Sequence, residues 1–178
     1  MKTTNTAKKQ SSTGVREETF NVSDLNSRVM NASREKTADR LNDLLANEFS
    51  LFTKTLNYHW NVKGPRFHSI HEFLDEQYHD LLKVVDAVAE RVREIGGQPM
   101  GTLAELEKHS SHSERPKKVP DATTMLQDLT SDHESICMQI QSQLKELDGE
   151  SDPGTEDFLG SLIKKHEEMC WMLRSHLQ

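Results

Sequence analysis

The chain has 178 residues, enough for one domain of ordinary size with a real core, and no boundary marks off a second. With 34% hydrophobic and 29% charged residues and five prolines it reads as a mostly helical protein in water, and a net charge of −7 argues against a general nucleic-acid-binding surface. No apolar run approaches the roughly 20 residues needed to cross a bilayer, which excludes a membrane role.

The opening Met1-Lys-Thr-Thr-Asn5 leads into polar sequence rather than a hydrophobic signal segment, so export is not expected and a cytoplasmic address follows. Cys137 and Cys170 are too few for a disulfide framework and form no Cys-x-x-Cys pair, so both are read as reduced thiols. The charge is uneven. Residues 1–16 carry Lys2, Lys8, Lys9 and Arg16 with no acidic residue, a balance of +4 that leaves −11 for the rest.

Residues 1–30, rich in Ser, Thr, Asn and Lys, are expected to be a flexible basic tail, with Phe20, Val22 and Leu25 able to dock its distal part. The domain proper is placed at 31–178. From about Ser33 the series Leu41, Leu44, Leu45, Phe49, Phe52 and Leu56 keeps three-to-four spacing, which predicts a long amphipathic helix ended by Gly64-Pro65. A second should run from Phe67 to Ile95, because Ile70, Phe73, Leu74, Leu81, Val85, Val88 and Val92 share a face and Gly96-Gly97 supplies a C-terminal cap. Thr102-Leu-Ala-Glu105 is a capping box for a short helix to His109. Asp121 can cap a third long helix through Leu147, and Asp152-Pro153 can start a fourth. Four long helices, with a short extra helix in the crossover between the second and third, predict an all-α, ferritin-like four-helix bundle.

The second helix carries a line of ligand-type residues. With His71 at zero on a wheel of about 100° per residue, Asp75 falls near 40°, Asp86 near 60° and Glu90 near 100°, beside the apolar arc. The four cannot meet within one helix, since His71 and Glu90 lie roughly 28 Å apart along it. Two copies lying antiparallel across a two-fold axis resolve this. The numbers of His71 and Glu90, and those of Asp75 and Asp86, add to the same 161, so an axis between Asp80 and Leu81 sets each pair level twice per dimer. Imidazole nitrogen with carboxylate oxygen accepts Fe(II), with Zn(II) as competitor, and three carboxylates favour Fe(III) once formed. His59, at the end of the first helix, can fold back toward His71 as a further ligand, with Trp60 packed beside it.

The stretch His59-Trp-Asn-Val-Lys-Gly-Pro-Arg-Phe67, followed by Ile70-His-Glu-Phe-Leu-Asp75 and Asp86-Ala-Val-Ala-Glu-Arg91, resembles the signature of the Dps family, the DNA-binding proteins of starved cells. The resemblance covers the chain from about Ala38 to its end. It implies a ferritin-like subunit in a hollow shell of twelve, a dodecamer built from two-fold dimers. It also implies a ferroxidase that oxidises Fe(II), usually with hydrogen peroxide, and stores a ferric mineral, protecting DNA from oxidative damage. The implied site takes His59, His71 and Asp75 from one chain and Asp86 and Glu90 from its mate, with Trp60 alongside. Trp171 matches an aromatic position read as packing. Asp157, with Asp152, falls where the family's acidic iron-entry pores lie, although a helix start favours acidic residues in any case. Some members bind DNA through basic arms, and Lys2, Lys8, Lys9 and Arg16 on many subunits would give weak phosphate contacts with combined avidity.

His68 points off the ligand line and is read as a surface residue. Glu76-Gln-Tyr-His79 has the spacing of a di-iron motif but occurs once, which disfavours a di-iron site inside the bundle. His109, His112, His133, His166 and His176 show no spacing that suggests a site, and Met138, Met169 and Met172 are expected as core filler. Two rival readings remain: a DNA-compacting structural protein whose metal site only holds the dimer, and a monomeric helical interaction module.

Overall fold

A computed structural model describes residues 32–112, 118–147 and 152–178. They form α1 (Ala32–Asn61), α2 (Phe67–Glu94), α3 (Leu103–His109), α4 (Ala122–Leu147) and α5 (Pro153–Leu177), with no strand among them. The four long helices and the short one in the crossover are those the sequence predicts. The tail with its Lys2, Lys8, Lys9 and Arg16, and the boundary at residue 31, lie outside the described residues.

Helix ends follow local chemistry. Thr102 and Glu105 make both halves of a capping box ahead of α3. The Asp121 carboxylate accepts from the Thr124 amide at 2.9 Å. Asp152 accepts from the Thr155 amide with Pro153 at the first helical position. At the end of α2, Gly96 takes φ +95°, its amide donates to the Arg93 carbonyl, and the Gly97 amide reaches back to Val92. This is a Schellman cap, with glycine in the left-handed conformation it requires. Gly97 is needed for a different reason: a Cβ there would stand 2.7 Å from the Ala38 Cβ, so the crossover could not pass this close to α1.

α1 packs on α2 and α4, α4 on α5, and α3 rests on α1. The core between them is made by Leu41, Leu44 and Leu51, by Ile70, Leu74, Leu81 and Val88, by Leu126, Leu129, Ile136 and Ile140, and by Leu159, Met169 and Leu173. Two apolar expectations need correction. Met138 is 63% and Trp171 66% exposed. Each stands just off the buried stripe of its helix, beside Cys137 and Cys170 respectively, so neither belongs to the core of this chain.

Candidate metal centre

The turn after α1 brings the end of that helix beside the start of α2. His59 Nδ1 lies 2.9 Å from the His71 carbonyl oxygen, and His71 Nδ1 lies 2.9 Å from the His59 carbonyl oxygen. A carbonyl only accepts, so both Nδ1 atoms carry hydrogens, and in the neutral rings both Nε2 atoms hold the lone pair. This fixes the tautomer in the way that backbone partners of metal-binding histidines do. The two rings stack at 3.9 Å and 17°. Phe67 lies against His71 at 5.1 Å and Tyr78 sets its edge on His59 at 5.2 Å, so the imidazoles are clamped from both sides.

Asp75, one turn beyond His71, brings Oδ1 to 3.7 Å from His59 Nε2. Its other oxygen lies 3.4 Å from His79 Nδ1. Desolvation, then the neighbouring Asp75 carboxylate, push the Tyr78 phenol above its usual range. The His59 lone pair and the Asp75 carboxylate therefore lie together, with the His71 ring stacked on His59. Asp86 and Glu90 do not join them: both are exposed, farther along α2, Asp86 about 16 Å from Asp75 by helical rise. Among the described residues no group of three or more His, Cys, Asp or Glu within one chain is arranged to hold an ion.

A family model described as a ferritin-like domain matches residues 38–178. The chain is 37% identical to an uncharacterized low temperature-induced protein of Nostoc sp., over 86% of this chain and 87% of that protein. It is 34% identical to DNA protection during starvation protein 2 of Bacillus anthracis, over 77% and 93%. A crystal structure of the Dps protein from Vibrio cholerae, a member of a broad superfamily of ferritin-like diiron-carboxylate proteins, superposes with a TM-score of 0.77 at 29% identity, covering 82% of this chain and 91% of that one. The chain belongs to the Dps family.

Within this Dps-family bundle the other predicted positions fall as follows. Trp60, expected as a packing neighbour, turns outward and is 67% exposed. Asp157 is exposed in the first turns of α5. Asp152 is engaged: beyond its cap, it accepts from Arg91 Nη2 at 3.1 Å, while Arg91 also donates to Thr155 Oγ1 and, at 2.8 Å, to Glu94. His68 is a surface residue as expected, its ring paired with Glu72. His109 pairs with Asp43. His133 and His166, expected to be unrelated, instead meet in the bundle interior at 2.8 Å, with Glu48 behind them. Residues 33 and 118 apart in sequence make these contacts, so no local spacing announces them. One signal was available: Glu48 is a charged residue inside the apolar stripe of α1, between Leu44, Leu45 and Leu51.

Proposed function

We propose that this Dps-family protein is a ferroxidase and iron store whose site forms between two copies. The observation that carries the reading is the His59–His71 clamp, which fixes two Nε2 lone pairs, that of His59 3.7 Å from Asp75, in a set that Asp86 and Glu90 of a second copy can complete. The shared sum of 161 supplies the register. Fe(II), the substrate, is taken by these imidazoles and carboxylates, a donor set suited to it. Two Fe(II) each yield one electron, and one hydrogen peroxide takes up both electrons and two protons to leave as two waters, so no hydroxyl radical is released. The Fe(III) product collects as mineral inside a dodecamer of two-fold dimers. Asp157 is the better pore candidate, because the Asp152 carboxylate is already shared between its cap and Arg91. No helix among the described residues is long and apolar enough to cross a membrane, and a cytoplasmic, nucleoid-associated setting is part of the proposal.

The test is the combined His71→Ala, Asp75→Ala variant. It is expected to lose fast peroxide-dependent Fe(II) oxidation while assembling normally; oxidation kinetics like those of the unaltered protein sink the assignment.

A second reading, DNA compaction, rests on the basic arm of Lys2, Lys8, Lys9 and Arg16 and on the name of the Bacillus anthracis relative. A gel shift that weakens with salt and disappears without residues 1–16 would support it.

A further inference from the structure

Away from the iron-binding face, the bundle interior holds a line of three ionisable side chains drawn from three helices. Glu48 of α1, His133 of α4 and His166 of α5 are 0%, 1% and 0% exposed. Glu48 Oε1 lies 2.8 Å from His166 Nε2, and His166 Nδ1 lies 2.8 Å from His133 Nδ1. An ionised carboxylate only accepts, so His166 Nε2 donates to it, and the contact between the two Nδ1 atoms needs one donor and one acceptor. The ring centroids are 5.1 Å apart, about as far as that nitrogen–nitrogen distance permits, so the two nitrogens point straight at one another. This is the geometry of a shared hydrogen rather than of two nitrogens converging on an ion, in keeping with the lack of any ion-holding group among the described residues.

The line accommodates a proton on His166, because Glu48 balances it and a neutral His133 can still accept. A proton on His133 as well sets N–H against N–H. We propose that Glu48, His166 and His133 form an acid-sensitive latch, which ties α1, α4 and α5 together while at most one of the two histidines is protonated and lets them part when both are.

The surroundings disfavour a proton on His133. Burial first, then His166 of α5 and His112 of the segment after α3, push the His133 pKa well below the ordinary histidine value. Asp132 of α4 and Lys54 of α1, paired with each other, and Glu48 act on the neighbouring His112. Glu48 Oε2 and both ring nitrogens of His112 are buried without a partner among the described residues, while the line joins α1, α4 and α5 beside the Lys54–Asp132 pair. His112, also lowered chiefly by burial, acts in the same sense.

The sign follows. A histidine neutral in the fold and protonated once unfolded contributes its full stability above about pH 6.5, and that contribution is lost as pH falls from there toward the folded value. One such proton changes the unfolding equilibrium tenfold per pH unit. Carboxylates lowered in the fold, such as Asp80 and Asp121, lose their contribution only below about pH 4, outside this window.

The experiment is denaturant unfolding of the full chain as assembled, between about pH 7.5 and 5, for the unaltered protein, His133→Gln and, as control, His68→Gln on the exposed surface. The unaltered protein and the control are expected to destabilise on acidification, and His133→Gln to do so with a slope shallower by one proton. An unchanged slope in His133→Gln overturns the latch. Should His133→Gln not fold, deuterium exchange at the histidine C2 position of the unaltered protein, read by mass spectrometry against pH, gives the midpoint of His133 directly. A midpoint depressed below the ordinary value supports the latch, and one at or above it overturns it.

Discussion

His59 and His71, twelve residues apart on either side of the turn at Gly64, donate to each other's backbone carbonyls at the same 2.9 Å. The pair thus has two separable parts: Nδ1 joins α1 to α2, and Nε2 is left for the proposed metal. Asparagine can replace the first and not the second. His71→Asn is expected to keep the melting temperature and to slow Fe(II) oxidation by at least tenfold, whereas His71→Ala loses both the rate and about 1 kcal/mol of stability. Thermal melts and stopped-flow oxidation on the two variants separate the roles; a fast His71→Asn variant would remove Nε2 from the proposed mechanism.

Leu82 tests the two-fold register. It is 48% exposed in a single chain, next to the axis proposed between Asp80 and Leu81, and level with His79 of a second copy. Leu82→Glu puts a charge there and is expected to lower the particle mass seen by light scattering and the oxidation rate together, with helix content by circular dichroism retained. A particle of about twenty kilodaltons already in the unaltered protein would refute the shared site and the shell at once.

Asp152→Ala removes a helix cap and an Arg91 partner. The expected cost is about 0.5–2 kcal/mol in chemical denaturation, with little change in iron uptake. Slowed uptake at undiminished stability would return Asp152 to the pore.

The two thiols should be silent in the native protein. Cys137 and Cys170 are buried, and burial pushes the Cys170 thiol up to about 11 and raises Cys137 as well. At neutral pH neither forms much thiolate, the reactive species. A chromogenic disulfide reagent is expected to titrate two thiols per chain after unfolding and almost none before it; rapid native labelling would contradict the placement of both side chains.

Much of this was legible in the residues because it is local. The helix limits came within a residue or two, since Gly64-Pro65, Gly96-Gly97, Thr102, Asp121 and Asp152 act through neighbours only a few positions away. The proposed ligand line also comes from local geometry: a helical wheel relates His71, Asp75, Asp86 and Glu90 without knowledge of the fold. The latch was not, because His133 and His166 become neighbours only when α4 docks on α5, and the carboxylate behind them arrives from a third helix. Met138 and Trp171 misled in another way. Apolar character says that a side chain gains by leaving water, but not which molecule must cover it.

Arg91 gives the end of α2 a consequence that its distances alone do not express. It is the residue after Glu90, and its guanidinium grips Asp152 and Thr155 at the start of α5. The carboxylate proposed to hold iron and the acidic turn proposed to admit it are therefore parts of one braced corner. Losing the whole Arg91 grip would disturb both, whereas losing Asp152 alone leaves the bonds from Arg91 to Thr155 in place.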